Sequence, residues 1–338
     1  MLRRKLALVT IALLFSTLAC RAATRLIFPD TPTPPPPTST PLPPATLTPT
    51  PASNANCSIL ASRILDDAIN FEFDDEEASE KTLLVSYVVT GDALSKPFDS
   101  VVPSKYADEQ SDRAAQTEIW NYFTRLIPPE GRAFVTAYAI VTDGGGNILA
   151  SVAQNTSDAE DWILEVDLLD ATNKYVLTVT LLHEFGHLLT LNASQVPPNL
   201  AIYNNPESNA IYERERKACS TYFPGEGCSL SNSYLNQFFE RFWLDLYDEW
   251  QSIDAEDDET QRDALIEKFY TKYEEQFLTS YAPTSPMEDI AETLTFFILA
   301  PKPEPDSITN RKILFFYEYP ELIEMREQIL NRLCVEFP

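Results

Sequence analysis

Residues 177–191 read LTVTLLHEFGHLLTL, and the fold is decided here. The run contains His183-Glu184-Phe185-Gly186-His187, and these are the only two histidines among 338 residues. Apolar flanks are what a buried helix requires, and the pattern predicts one over about residues 171–191. Residues four apart share a helical face, so both imidazoles can reach one metal ion. Glu184 directly follows His183, which lets it hold a water at that ion without ligating strongly itself. Glycine costs about 1 kcal/mol against alanine in a helix interior, so Gly186 implies that another segment packs closely there. The bland alternative is a chance pattern with both histidines satisfied in a core.

Working outward, residues 82–90 are β-branched and read as a strand. Ala115, Ile119, Tyr122, Phe123 and Leu126 fall at helical spacing and predict a helix over about 109–127, ended by Pro128 and Pro129. Residues 134–141 read as a strand, 143–147 as a turn and 148–153 as the return strand of a hairpin. Residues 162–169, where Glu165 and Asp167 interrupt apolar positions, form a further strand. From about Ser231 the chain turns helical. Leu235, Phe238, Phe239, Phe242, Trp243 and Leu246 make a wide apolar stripe, which is a core face rather than a cofactor site. Further helices are expected over about 260–277, from near Pro286, and on to Leu333. The acidic run at 254–259 reads as a solvated loop. The expected class is α+β, with a mixed sheet plus the motif helix over about 57–191 and a mostly helical lobe over about 192–338.

The formal net charge is -26, which disfavours nucleic acid as a partner, since that needs basic surface. Hydrophobic residues make up 44%, enough for a sizeable core. Residues 1–20 read as an export signal, with Arg3, Arg4 and Lys5 ahead of an apolar run too short for an ordinary membrane span. It ends in Ser16-Thr17-Leu18-Ala19-Cys20, which resembles a lipobox with Thr17 in place of the usual leucine. Cys20 would then carry lipid and anchor the chain to a membrane. The alternative is a plain signal cut near Ala19. Residues 21–56 read as a Pro/Thr-rich linker, a stiff extended stalk. Four cysteines follow, an even number that in an exported chain points to disulfides. Cys219 and Cys228 are close enough for a small loop, which leaves Cys57 to tie the start of the domain to Cys334 at its end. No CxxC pair supports a cysteine-only zinc site.

No third histidine remains, so a carboxylate is the obvious ligand to complete a metal site built on the motif. On these residues the chain resembles the gluzincin branch of the HExxH zinc peptidases. The stretch Thr279-Ser280-Tyr281-Ala282-Pro283-Thr284-Ser285-Pro286-Met287-Glu288-Asp289-Ile290-Ala291-Glu292 is similar to the second motif of the anthrax lethal factor-like group. The resemblance spans roughly residues 130–300 and implies a zincin-like fold. It implies that Glu288 ligates zinc, that Glu292 accepts a bond from a ligand histidine, and that Tyr281 donates its hydroxyl to an oxyanion. It also implies that a substrate strand adds to the edge strand near residues 148–152.

Other readings of these residues stay open. Ser285-Pro286-Met287-Glu288 also fits a helix cap with a capping-box glutamate, Tyr281 an ordinary packed aromatic, and Glu292 a solvated helix position. Glu207, twenty residues after His187, is the rival third ligand, at a spacing similar to that of thermolysin-like enzymes. The expected function is zinc-dependent hydrolysis of peptide bonds at the cell surface, on a peptide or protein substrate. The alternatives are a non-catalytic surface binding protein and a zinc amidase acting on cell-wall peptides.

Overall fold

The computed structural model describes residues 55–71, 78–144, 146 and 148–337. The export signal, Cys20 and the linker up to residue 54 lie outside them. The chain opens with α1 (Ala55–Ile69), β1 (Ala78–Thr90), β2 (Ala93–Leu94), β3 (Phe98–Asp99), α2 (Ala107–Ser111) and α3 (Arg113–Leu126). Then come β4 (Val135–Gly144), β5 (Ala150–Gln154), β6 (Trp162–Asp167) and the motif helix α4 (Lys174–Leu191). The remainder is helical: α5 (Leu200–Tyr203), α6 (Asn209–Ala218), α7 (Tyr234–Phe242), α8 (Tyr247–Asp254), α9 (Glu259–Tyr273), α10 (Pro286–Leu299), α11 (Ile308–Phe316) and α12 (Pro320–Glu336). The protein is thus mixed α/β, with a mixed sheet and a helical C-terminal part. Helix α1 is an element that the sequence reading lacked, and it begins inside the segment assigned to the linker.

The sheet order is β2-β1-β4-β6-β5, with β3 also pairing β1. Strands β1 and β4 are antiparallel, β4 and β6 parallel, and β6 and β5 antiparallel. This corrects the hairpin expected between residues 134–141 and 148–153: β6 lies between them, and β5 forms its hairpin with β6. The reason is burial. All six residues of β6 are buried, and a strand covered on both faces belongs inside a sheet. Strand β5 ends half-buried at Ala153 and Gln154 and takes the edge. Gly144, at φ +81°, turns the chain out of β4 instead of returning it alongside.

Side chains alternate across β4 and β6. Tyr138, Ile140, Leu164 and Val166 join the main core with Trp120 and Phe123 of α3 and Leu181 and Phe185 of α4. Ala137, Ala139 and Ile163 form a small cluster of their own. Glu165 is buried, and its Oε2 accepts from Lys81 Nζ at 2.6 Å and Ser151 Oγ at 3.0 Å. The helix expected over 109–127 is split in two, because the Asp112 side chain caps α3 by accepting from the Ala115 N–H at 3.0 Å.

In the C-terminal part, Phe238, Phe239 and Trp243 are buried, so the aromatic stripe is core, although α7 ends at Phe242 and α8 begins only at Tyr247. Disulfides join Cys57 to Cys334 and Cys219 to Cys228. The first fastens α1 to α12. The second closes a loop between residues 9 apart in sequence. Among the described residues no helix is long and apolar enough to cross a membrane.

Candidate metal centre

Helix α4 starts where Asn173 Oδ1 accepts from the N–H groups of Tyr175 and Val176. It runs buried for most of its length between β5, α1 and α10. Helix α10 has its own local start. Ser285 Oγ accepts from the Glu288 N–H at 3.1 Å, and Pro286 takes the first helical position. This cap fixes the phase of α10, and Glu288, three residues on, faces α4. Capping concerns the Glu288 backbone, so it leaves the carboxylate available for another task.

His183 Nε2 lies 2.9 Å from Glu288 Oε2, His187 Nε2 lies 3.2 Å from the same oxygen, and the two Nε2 atoms are 3.1 Å apart. All three residues are buried. On the other edge of the His183 ring, Nδ1 lies 2.9 Å from Glu292 Oε1. If Nδ1–H donates there, Nε2 presents its lone pair to the convergence point, which is the tautomer a metal needs. Three lone-pair-bearing atoms so close repel one another unless a cation or a proton sits among them. Their separations are within a few tenths of an ångström of the ~3.3 Å edge of a tetrahedron with bonds of ~2.0 Å. The His183–His187–Glu288 cluster can therefore hold a metal ion.

The charges are strongly coupled. Burial alone would lower the His183 pKa, but the Glu288 and Glu292 carboxylates hold it well above its ordinary value. Burial alone would raise that of Glu288, yet His187 and His183 hold it well below the usual carboxylate range. Glu184 is pushed up to about 7 by burial, with both imidazoles opposing the rise. The backbone N–H of Val152, on the edge strand β5, opposes the rise as well.

The structure therefore brings together His183, Glu184, His187, Glu288 and Glu292. Tyr281 stands beside them, its ring centroid 5.9 Å from that of His183. Glu207 is exposed, just past α5, and takes no part in the cluster. Four contributors escaped the sequence reading. Thr279 Oγ1 donates to Glu292 Oε2 at 2.8 Å and accepts from the Ala282 N–H at 3.1 Å, which fixes the carboxylate behind His183. Val152 acts through its backbone, which no side-chain motif reports. Lys312 and Trp243 brace Asp289, next to Glu288, by donating to its Oδ2 at 2.5 and 2.7 Å. Burial pushes the Asp289 carboxyl up and the Lys312 ammonium down, each opposed by the other.

The close packing implied by Gly186 is present. A Cβ built on Gly186 would lie 2.8 Å from Ala291 Cα and 3.0 Å from its Cβ, so α4 and α10 touch almost backbone to backbone. No protein-family model, curated protein or solved structure matches the chain.

Proposed function

We propose that this protein is an exported zinc metallopeptidase of gluzincin type. The observation that carries the reading is the convergence of His183, His187 and Glu288 beside a buried Glu184 on the same helix as the two histidines. Two nitrogens and one oxygen are a donor set suited to catalytic zinc, with one position left for water. Zinc held there would lower the pKa of that water toward about 7 and polarise a substrate carbonyl. Glu184 takes a proton from the attacking water on its carboxylate and passes it to the leaving amine. Burial raises its affinity for that proton. Glu292, held by Thr279, keeps the Nδ1–H of His183 in place. Tyr281 donates its hydroxyl to the developing oxyanion. Strand β5 pairs only β6 among the described strands, and a substrate strand adds along its other side.

Glu184→Gln tests the reading. It removes the base and leaves every ligand in place, so the variant keeps one zinc per chain and its fold. Its hydrolysis of a peptide library falls by at least about 100-fold, the lower range for a lost general base. A variant as active as the wild type sinks the mechanism. A zinc-loaded wild type that cleaves neither peptides nor peptidoglycan points instead to a binding protein.

The two disulfides support an oxidising compartment. Export and lipid attachment at Cys20 follow from the signal-like residues 1–20. Cys20→Ala should leave the chain unprocessed or released, and partition of that variant into detergent like the wild type refutes the anchor.

A further inference from the structure

A second group of carboxylates gathers away from the histidines. Asp143 lies near the end of β4, Asp167 ends the parallel strand β6, and Asp170 lies in the connection from β6 to α4. One oxygen from each falls within 4.8 Å of those from the other two. Asp143 and Asp167 are only 5% and 1% exposed. Among the described residues, the main charges acting on Asp167 and Asp170 are carboxylates of the same cluster.

Hydrogen bonds account for only part of this acidity. Asp167 is well supplied, with Oδ2 accepting from the Asp143 N–H at 3.1 Å and Oδ1 from the Leu169 N–H at 2.9 Å. Asp143 Oδ2 accepts from the Ile148 N–H at 3.4 Å. Among the described residues, buried Asp143 Oδ1 and Asp170 Oδ2 have no hydrogen-bond partner. Buried carboxylate oxygens without a donor are costly, and those on a nearly fully buried residue cannot turn to water. The loop is also shaped around the group. A Cβ built on Gly146 would fall 2.2 Å from Asp143 Oδ2, so a side chain there would displace the carboxylate.

We propose that Asp143, Asp167 and Asp170 form a second cation site, for a hard divalent ion of the calcium class, that braces the connection leading into α4. The donors are all oxygen, which suits calcium or magnesium and not a metal that prefers nitrogen or sulfur. Calcium is favoured over magnesium because it accepts irregular oxygen sets, and this loop supplies carboxylates from two strand ends and a turn. The ion would satisfy Asp143 Oδ1 and Asp170 Oδ2 and neutralise the charge of the cluster. Without it three carboxylates this close repel one another unless they share protons. The site stands independently of the proposed peptidase chemistry.

The experiment titrates calcium chloride into zinc-loaded full-length protein in chelator-treated buffer, read by calorimetry and by the melting temperature. One calcium per chain should bind, with Kd between about 10⁻⁵ and 10⁻³ M, from the weak end of sensor sites to extracellular modules. The melting temperature should rise with calcium. Asp170→Asn, in the half-buried turn where folding is most tolerant, should weaken calcium by about tenfold or more and leave zinc content unchanged. Glu288→Gln should leave calcium binding as it is, which separates this site from the histidine cluster. Absence of calcium binding by the wild type at 10-fold above the upper end of that range overturns the proposal and leaves a proton-sharing cluster. Asp170→Asn binding as the wild type does overturns the assignment of residues. Magnesium binding tighter than calcium overturns the assignment of the ion.

Discussion

Gly186→Ala sets two effects of known sign against each other. Helix propensity alone favours alanine by about 1 kcal/mol in a helix interior. The new methyl, however, meets Ala291 Cα at 2.8 Å, Cβ at 3.0 Å and the carbonyl oxygen at 3.3 Å. Ordinary carbon–carbon contact begins near ~3.5 Å, so the helices must part by roughly 0.7 Å at this point. Two of the three contacted atoms are backbone, so no flexible side chain can swing aside. Overpacking of this kind costs about 1–3 kcal/mol, which leaves a net loss of about 0–2 kcal/mol after the propensity gain. The larger consequence is for the cluster. His183 and His187 lie on α4 and Glu288 on α10, with donor atoms now 2.9 and 3.2 Å apart across the gap. Widening it takes Glu288 past the ~3.3 Å edge that a tetrahedral site requires. Zinc affinity, measured by competition with a chromophoric chelator, should fall about tenfold or more while the melting temperature changes little. Adding Ala291→Gly removes the Cβ contact but leaves Cα at 2.8 Å, so rescue should be partial. If Gly186→Ala is about 1 kcal/mol more stable than the wild type and binds zinc equally well, the close approach of the two helices is wrong.

Two more variants probe the same site from other sides. Glu288→Gln should lose most of its zinc, whereas Glu207→Gln should keep it; zinc titration of the pair decides between the two candidates, and loss confined to the Glu207 variant removes Glu288 from the site. Lys312→Met leaves the Asp289 charge buried with only Trp243 still donating to it, which should cost about 3–5 kcal/mol by denaturant unfolding. Lys312→Met combined with Asp289→Leu should recover most of that stability, and a single variant as stable as the wild type would show that Asp289 is held neutral instead.

The parts of the fold that the sequence announces are those set by local chemistry. The motif helix needs only its apolar run and the Asn173 cap, and it appears within three residues of its expected start. Helix α10 needs only Ser285 and Pro286. Strand partners are another matter. The glycine-rich segment after β4 looks like a hairpin turn to any reading of nearby residues. Its true course depends on β6, a strand formed later in the chain whose six buried residues claim the position beside β4. Helix α1 could have been read, since Cys57, Ala61, Ile64, Leu65 and Ala68 fall on one face and are buried. The Pro/Thr-rich stretch ahead of it obscured that pattern.

The candidate site was readable to the extent that its spacing is helical, and the contact between the two helices was written less obviously in a pair of small residues. Gly186 lies between His183 and His187, and Ala291 lies between Glu288 and Glu292. Their close approach sets the register of α4 against α10. Sliding α10 by one turn, about 5.4 Å, would bring Glu292 or Thr284 toward the place of Glu288. It would also bring Thr295 or Met287 against Gly186 in place of Ala291, and both side chains are too large for a gap that a methyl group already overfills. The glycine inside the motif therefore does more than tolerate a neighbour. It admits only a small residue opposite, and on α10 that residue is the one whose flanking glutamates meet the two edges of His183.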